Sequence, residues 1–278
     1  MILPEFYVDD IILRALKEDI TYVDLASDYL IPEAQENTAY FVSKADGVLC
    51  GLDVALRTFE LLDKDFKATV YKKDGDTLKK GDLIAEFTGK TTLLLKGERT
   101  ALNLLQHMSG IATATAAAVE LVKGTNAQVT DTRKTLPSLR ALQKYAVTCG
   151  GGKNHRFNLS DGAMLKDNHI DASGGITNAV QKLRDKLGHM VKIEVETRNL
   201  DEVKEALLAG ADIIMLDNMS CEEMREAVKL IDGKAKTEAS GGITLETIAD
   251  AAKTGVDIIS LGALTHSVTA FDISMKMK

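Results

Sequence analysis

The 278-residue chain has no apolar run that approaches the roughly 18 to 20 residues needed to span a bilayer, so no transmembrane helix is expected. Cysteine is scarce. Cys50, Cys149 and Cys221 are odd in number and far apart, which argues against both a disulfide framework and a cysteine-based metal knuckle. Positive charge is in deficit, with 34 Lys and Arg against 41 Asp and Glu and a net charge of -7. A nucleic-acid backbone asks for a basic stripe, so nucleic acid is not expected as the main partner. The opening MILPEFYVDDIILRALKED is too acidic for a secretory signal. What remains is the class of a cytoplasmic enzyme, with ordinary apolar content and length enough for one large core, or one large and one small.

What the chain does have is a basic island in this acidic background. Between Asp131 and His169 it carries seven Lys or Arg and two His but only three Asp. These cations sit beside short apolar runs and glycines, as groups placed at element ends around an anion would, and not along a solvated helix face. A small, multiply charged anionic substrate is the first expectation.

Taken in order, Phe6, Val8, Ile11, Ile12, Ala15 and Leu16 fall at helical spacing, and Pro4 suits a first turn, so residues 5–17 predict a helix. Residues 39–49 and 66–71 read as strands separated by a helix over 52–62. Asp74-Gly75 and Lys80-Gly81 then break the chain into short strands and tight turns. From Thr91 the pattern changes to long helical runs interrupted at Gly110. After Gly124, candidate strands at 128–131, 146–149, 162–166, 191–195, 213–216, 235–238 and 256–261 alternate with candidate helices at 137–144, 175–187, 201–208, 221–231 and 245–252. Parallel strands need crossover helices, so this alternation predicts a closed or nearly closed parallel barrel.

In such a barrel the loops at the carboxyl ends of the strands carry the function. Asp131 to Lys134, Lys153 to Arg156, Lys166 to His169, Glu194 with Glu196, Asp217-Asn218, Ser240 to Gly242, and Gly262 to His266 each end or follow a candidate strand. Arg133, Arg156 and Lys166 suit carboxylates, with His155 and Lys134 adding donors at the edge. Glu196 and Asp217 suit Mg2+, which takes oxygen ligands while gathering substrate phosphates. Glu194 shares a strand face with Glu196, so alternation alone does not choose between them. In TEASGGIT and SLGALTHS, glycines and a small hydroxyl precede or open a helix, offering N–H groups to a phosphate.

Assembled, these stretches resemble the quinolinate phosphoribosyltransferase family almost end to end. The likeness runs through GERTALNLLQHMSGIAT, DTRKTLPSLRALQKYAVTCGGGKNHRFNLSDGAMLKDNHI, IEVE, ADIIMLDNM, TEASGGIT and GVDIISLGALTHS. It departs at ITYVD, where many members have two threonines and a glycine. A branch associated with molybdenum transport genes shares the fold, but the TRKT and KDNH signatures favour the quinolinate enzyme. The resemblance implies Mg2+-dependent formation of nicotinate mononucleotide, carbon dioxide and pyrophosphate from quinolinate and phosphoribosyl pyrophosphate. It places Arg133, His155, Arg156 and Lys166 around the quinolinate carboxylates and Lys134 near both substrates. Glu196 and Asp217 would lie beside ribose and metal, with the 21-residue gap choosing Glu196 over Glu194. Ser240, Gly241, Gly262 and His266 would form the phosphate end, and Arg99 would reach the neighbouring subunit's site in a homodimer. The implied fold is an α/β one, with an N-terminal α+β sandwich-like domain (1–108) packed on a seven-stranded open TIM-like barrel (109–265) and a C-terminal segment (266–278) returning to the first domain. Without the resemblance, an aldolase-like barrel using Lys166 as a Schiff-base nucleophile and a noncatalytic sensor of nicotinate precursors are the competing readings.

Overall fold

The computed structural model describes residues 3–278. In chain order it contains α1 (Glu5–Asp19), α2 (Ser27–Leu30), β1 (Glu36–Ser43), β2 (Gly47–Val48), α3 (Leu52–Leu62), β3 (Lys67–Val70), β4 (Thr77–Leu78), β5 (Leu83–Lys90) and α4 (Thr91–Leu121). There follow β6 (Gln128–Thr130), α5 (Arg140–Cys149), β7 (Ala163–Leu165), α6 (Asp167–Ser173), α7 (Ile176–Arg184), β8 (Ile193–Thr197) and α8 (Leu200–Leu208). The last elements are β9 (Ile213–Asp217), α9 (Cys221–Ile231), β10 (Lys236–Ser240), α10 (Ile248–Ala252), β11 (Ile258–Ser260), α11 (Ala263–His266) and β12 (Ile273–Met277). The chain divides into two compact units. The first takes the residues up to Ala116 together with Thr135–Gly151 and Ser267–Lys278, and the second takes Ala117–Lys134 and Gly152–His266.

The first unit is built on a four-stranded antiparallel sheet in the order β12-β1-β5-β3. Its pairing alternates large and small side chains, with Ala39 opposite Phe87 and Phe41 opposite Ala85. Leu52, Ala55, Leu56 and Phe59 recur at helical spacing along α3 and are buried, which lays that helix on the sheet. Phe59 then stands 5.0 Å from Phe87 and 5.5 Å from Phe66, and Phe41 stands 4.9 Å from Phe87. Such aromatic pairs add about 0.5–1.5 kcal/mol each beyond the area they bury. The start of α3 is satisfied from outside the helix: the carboxylate of Asp74 accepts from the amides of Gly51 and Leu52.

Two expectations are corrected in this unit. Gly110 does not interrupt the long helix, because α4 runs unbroken for 31 residues. A Cβ at Gly110 would collide with the carbonyl oxygen of Thr269, so glycine serves there as a contact point for another backbone. Residues 146–149 are not a strand; they form the last turn of α5. Their β-branched character is overridden by the helical period that begins at Ala141 and Leu142 and continues through Ala146 and Val147, all buried.

The second unit is an open parallel sheet in the order β6-β11-β10-β9-β8-β7. Loss of the 146–149 strand leaves six strands where seven are expected. The seventh position is held by one residue, Lys153, which bridges Thr130 in parallel and donates its amide to Val129 O at 2.8 Å. A repeated device ties the strand entries together. Asp212, just before β9, accepts from the Ile193 amide at 2.8 Å, and Asp257, just before β11, accepts from the Thr237 amide at 2.9 Å. Asn199 caps α8, and Ser220 with Glu223 forms a capping box on α9. Among the described residues, no helix is long and apolar enough to cross a membrane.

Candidate active site

The carboxyl ends of the parallel strands enclose a cavity of about 600 Å3, within the roughly 300–1,000 Å3 usual for small-molecule sites. Arg133, Lys134, His155, Arg156, Lys166, Glu196, Asp217, Ser240 and Gly241 line it, so most of the expected site residues share one space. Gly262 and His266 stand at its margin: a Cβ on Gly262 would touch the Lys134 side chain and the His266 ring. Thr265 donates to the Lys134 carbonyl at 2.7 Å and fixes this margin. Arg99 does not line the cavity and is exposed on α4.

The cationic wall begins at Asp131, fully buried after β6. Its carboxylate accepts from the His155 amide at 2.9 Å and the Asn154 side chain at 2.6 Å, binding the Thr132-Arg133-Lys134 stretch to the Asn154-His155-Arg156 stretch. Arg156 donates to Gly162 O at 2.9 Å. Burial, and then the like charge of Arg133, press its guanidinium below its ordinary pKa. Two guanidinium groups that raise each other's cost are retained where an anion is to be held between them.

Beneath them lies a buried cluster. His155 Nε2 is 3.1 Å from Glu194 Oε2 and 3.3 Å from Glu238 Oε2, and the three donor atoms lie close enough together to hold a metal ion. Burial pushes the imidazole pKa down, and the two carboxylates pull it up. Against a second proton stands the Arg156 amide, which donates to His155 Nδ1 at 2.8 Å. Protonating Nδ1 would set N–H against N–H, so the ring is the Nε2–H tautomer with Nδ1 accepting. Burial drives the Glu194 carboxyl upward, which favours a shared proton there. Both ring nitrogens of His155 are thus engaged within the protein, with Arg156 on one side and the two glutamates on the other, and the residue also lines the cavity.

The acidic wall is made differently. Glu194 and Glu196 both point inward from β8, but Glu194 is buried while Glu196, two residues nearer the strand end, is half-buried in the cavity wall. Glu196 pairs with Lys166 at 3.1 Å, and the lysine side chain is 49% exposed. Such a pair is worth about 0–1 kcal/mol and is easily exchanged for a ligand, whereas breaking a buried pair costs about 3–5 kcal/mol. The His155–Glu194–Glu238 cluster is therefore fixed wall, and Glu196 is available. Asp217, on β9, accepts from Asn218 at 2.8 Å. Gly241 closes over Asn218 with φ at +89°, and a Cβ there would overlap the Asn218 side chain. The SGG segment does not open a helix, since α10 begins only at Ile248; its amides are presented by consecutive glycines at positive φ.

The description "Quinolinate phosphoribosyl transferase, N-terminal domain" fits residues 24–109, and the C-terminal domain of the same name fits residues 111–276. The chain belongs to the quinolinate phosphoribosyl transferase family. It is 50% identical over 258 residues to a probable nicotinate-nucleotide pyrophosphorylase [carboxylating] of Bacillus subtilis, covering 93% of this chain and 89% of that one. It superposes on the crystal structure of NadC from Streptococcus pyogenes with a TM-score of 0.97 at 44% identity, covering 100% and 99% of the two chains. The nicotinate-nucleotide pyrophosphorylase of Francisella tularensis gives 0.95 at 40% identity, covering 99% and 98%.

Four cavity residues were not singled out in the sequence: Met164, Met215, Glu238 and Ser260. Glu238 was discoverable. It lies two residues before Ser240 on a buried parallel strand, where period-two alternation sends both side chains inward and a carboxylate needs a partner. Met164, Met215 and Ser260 give no comparable signal, since such side chains are as common in a sheet interior as at a site.

Proposed function

We propose that this protein transfers the phosphoribosyl group of phosphoribosyl pyrophosphate to quinolinate with loss of carbon dioxide, forming nicotinate mononucleotide and pyrophosphate in the cytoplasm. The observation that carries this reading is the paired Arg133 and Arg156 on one wall of a cavity whose other wall offers Glu196 and Asp217. Two carboxylates of a planar ring answer the first wall, and a ribose that gains positive charge during transfer answers the second.

Arg133, Arg156 and Lys166 orient the pyridine nitrogen toward the anomeric carbon by holding both carboxylates. As the ribose–oxygen bond lengthens, Glu196 and Asp217 favour the positive charge developing on the sugar, and Lys134 with the amides near Ser240, Gly241 and Gly262 and the His266 side chain receives the departing pyrophosphate. Once the ring nitrogen is quaternised, the bond to the 2-carboxylate breaks and carbon dioxide leaves; the electron pair stays on the ring carbon, stabilised by the adjacent positive nitrogen, and that carbon then takes a proton. The 3-carboxylate stays clamped. Glu196 and Asp217 fit Mg2+, being oxygen donors on adjacent strands with exchangeable partners. When bound, Mg2+ would neutralise diphosphate charge. The functional unit is a homodimer in which Arg99 of each chain completes its neighbour's site.

Arg133→Ala tests the division of labour. Loss of a charge-assisted bond worth about 1.5–3 kcal/mol weakens quinolinate binding by roughly 10- to 150-fold. Binding of phosphoribosyl pyrophosphate, titrated separately, stays within a few-fold; selective loss of the latter would contradict the assignment.

A further inference from the structure

Cys50 and Cys149 take no part in the chemistry above. They are 99 residues apart in sequence, yet their sulfurs lie within 4.8 Å of each other and of a carboxylate oxygen of Asp74. Both are free thiols; Cys50 is buried and Cys149, the last residue of α5, is half-buried. The backbone of Cys50 is clamped. Its amide donates to Ser109 Oγ at 3.0 Å, and that hydroxyl donates to the Cys50 carbonyl at 3.1 Å.

Two thiols and a carboxylate could hold a soft metal ion, but Asp74 is already committed. Its Oδ2 accepts from Gly51 N and Tyr145 Oη, both at 2.9 Å, and its Oδ1 accepts from Leu52 N at 3.0 Å. A metal would have to compete with the cap of α3 or with Tyr145. The sulfurs cap no helix: they hydrogen-bond to each other, and Cys149 also to Tyr145. Burial pushes the Cys50 thiol up, and hydrogen bonding from Cys50 leads the influences that draw the Cys149 thiol down. Cys149 is therefore both the more accessible and the more readily ionised of the two.

We propose that Cys50 and Cys149 are a redox-modification site, converted by hydrogen peroxide into an intrachain disulfide. The Cys149 thiolate attacks a peroxide oxygen, the O–O bond breaks, and the leaving oxygen departs as water after taking a proton, which leaves a sulfenic acid. The Cys50 sulfur then attacks the Cys149 sulfur; the S–O bond breaks, and the second water carries away the Cys50 proton. Two thiols lose two electrons to one peroxide, which is reduced to two waters. Cys149 precedes His155 by six residues, so a bond that draws in the end of α5 acts on the segment leading to His155 and Arg156.

The test is hydrogen peroxide added in one equivalent to the full chain, followed by alkylation in denaturant and peptide mapping. Alkylatable thiols should fall from three to one, with a Cys50–Cys149 cross-link that dithiothreitol reverses. Cys221→Ser should go from two to none, and Cys50→Ser or Cys149→Ser should form no cross-link. Persistence of all three thiols, a link through Cys221, or oxygen added to Cys149 without a link would overturn the proposal. So would stoichiometric binding of added Zn2+ to the reduced protein that is lost in Cys149→Ser. Separately, turnover of the cross-linked protein should drop several-fold and recover on reduction; unchanged turnover would remove the link to the active site but not the modification.

Discussion

At the scale of single residues, the site separates groups that must stay from groups that can exchange. Glu238 is wholly buried beside His155, and Lys166 is half exposed beside Glu196. His155→Ala is therefore expected to lower unfolding stability by about 3–5 kcal/mol, because it leaves the buried Glu194 and Glu238 carboxylates without their partner. Lys166→Ala should change stability by at most about 1 kcal/mol while abolishing most turnover. Urea unfolding of both variants checks the contrast; equal losses would show that the two pairs are not distinguished by burial. Sequence reading reached the cations readily, because a basic island stands out in an acidic chain. Alternation could not rank Glu194 against Glu196, since both share a strand face and only depth in the sheet separates them; the choice of Glu196 came from the spacing to Asp217 that the family resemblance implies. Nor could sequence reading see that the His155 ring faces inward, because that depends on the Arg156 amide and on Glu238, 83 residues away.

At the scale of elements, boundaries followed local chemistry where that chemistry was strong. The expected helices over 52–62 and 221–231 match α3 and α9, each with a well-marked apolar stripe and, for α9, a capping box. The error at 146–149 came from reading β-branched residues in isolation from the helical period before them. The error at Gly110 came from treating glycine as a break when it makes room for the Thr269 backbone. Strand entry gives a pH prediction. Burial tends to raise the Asp212 carboxyl, but the Ile193 amide, Arg184 and Lys192 hold it below its ordinary value of 3.8. A depressed folded pKa contributes stability that is present above the unfolded value and lost as pH falls through the folded one. Asp212→Asn should thus cost about 1.5–3 kcal/mol at neutral pH, and the gap from the native chain should close as pH falls below about 3.8. Urea midpoints across that range measure it; a gap that is constant with pH would mean the carboxylate charge is not what ties β8 to β9.

At the scale of the whole molecule, the alternation of strands and helices after residue 124 made the parallel sheet legible, and the polar clusters that line the cavity fell at strand ends as that architecture requires. The number of strands was less legible. One of seven proved to be a helix, and its place in the sheet is held by the single bridge at Lys153. Arg99 belongs to this scale, because its proposed role needs a second chain. Arg99→Ala and Lys166→Ala, each nearly inactive alone, should recover part of the native turnover when mixed and allowed to exchange subunits, since a mixed dimer holds one intact site. No recovery in a mixture shown to contain mixed dimers would place Arg99 outside the neighbour's site.

In the proposed reaction, Arg133 and Arg156 clamp a pyridine dicarboxylate opposite an activated ribose. The most direct measurement supplies the protein with Mg2+, phosphoribosyl pyrophosphate and either quinolinate or nicotinate, and quantifies nucleotide, pyrophosphate and carbon dioxide separately. Equal amounts of nicotinate mononucleotide, pyrophosphate and carbon dioxide are expected from quinolinate, and none from nicotinate. Nucleotide formed equally well from nicotinate, or no product from quinolinate with folded, metal-replete protein, would contradict the proposed reaction.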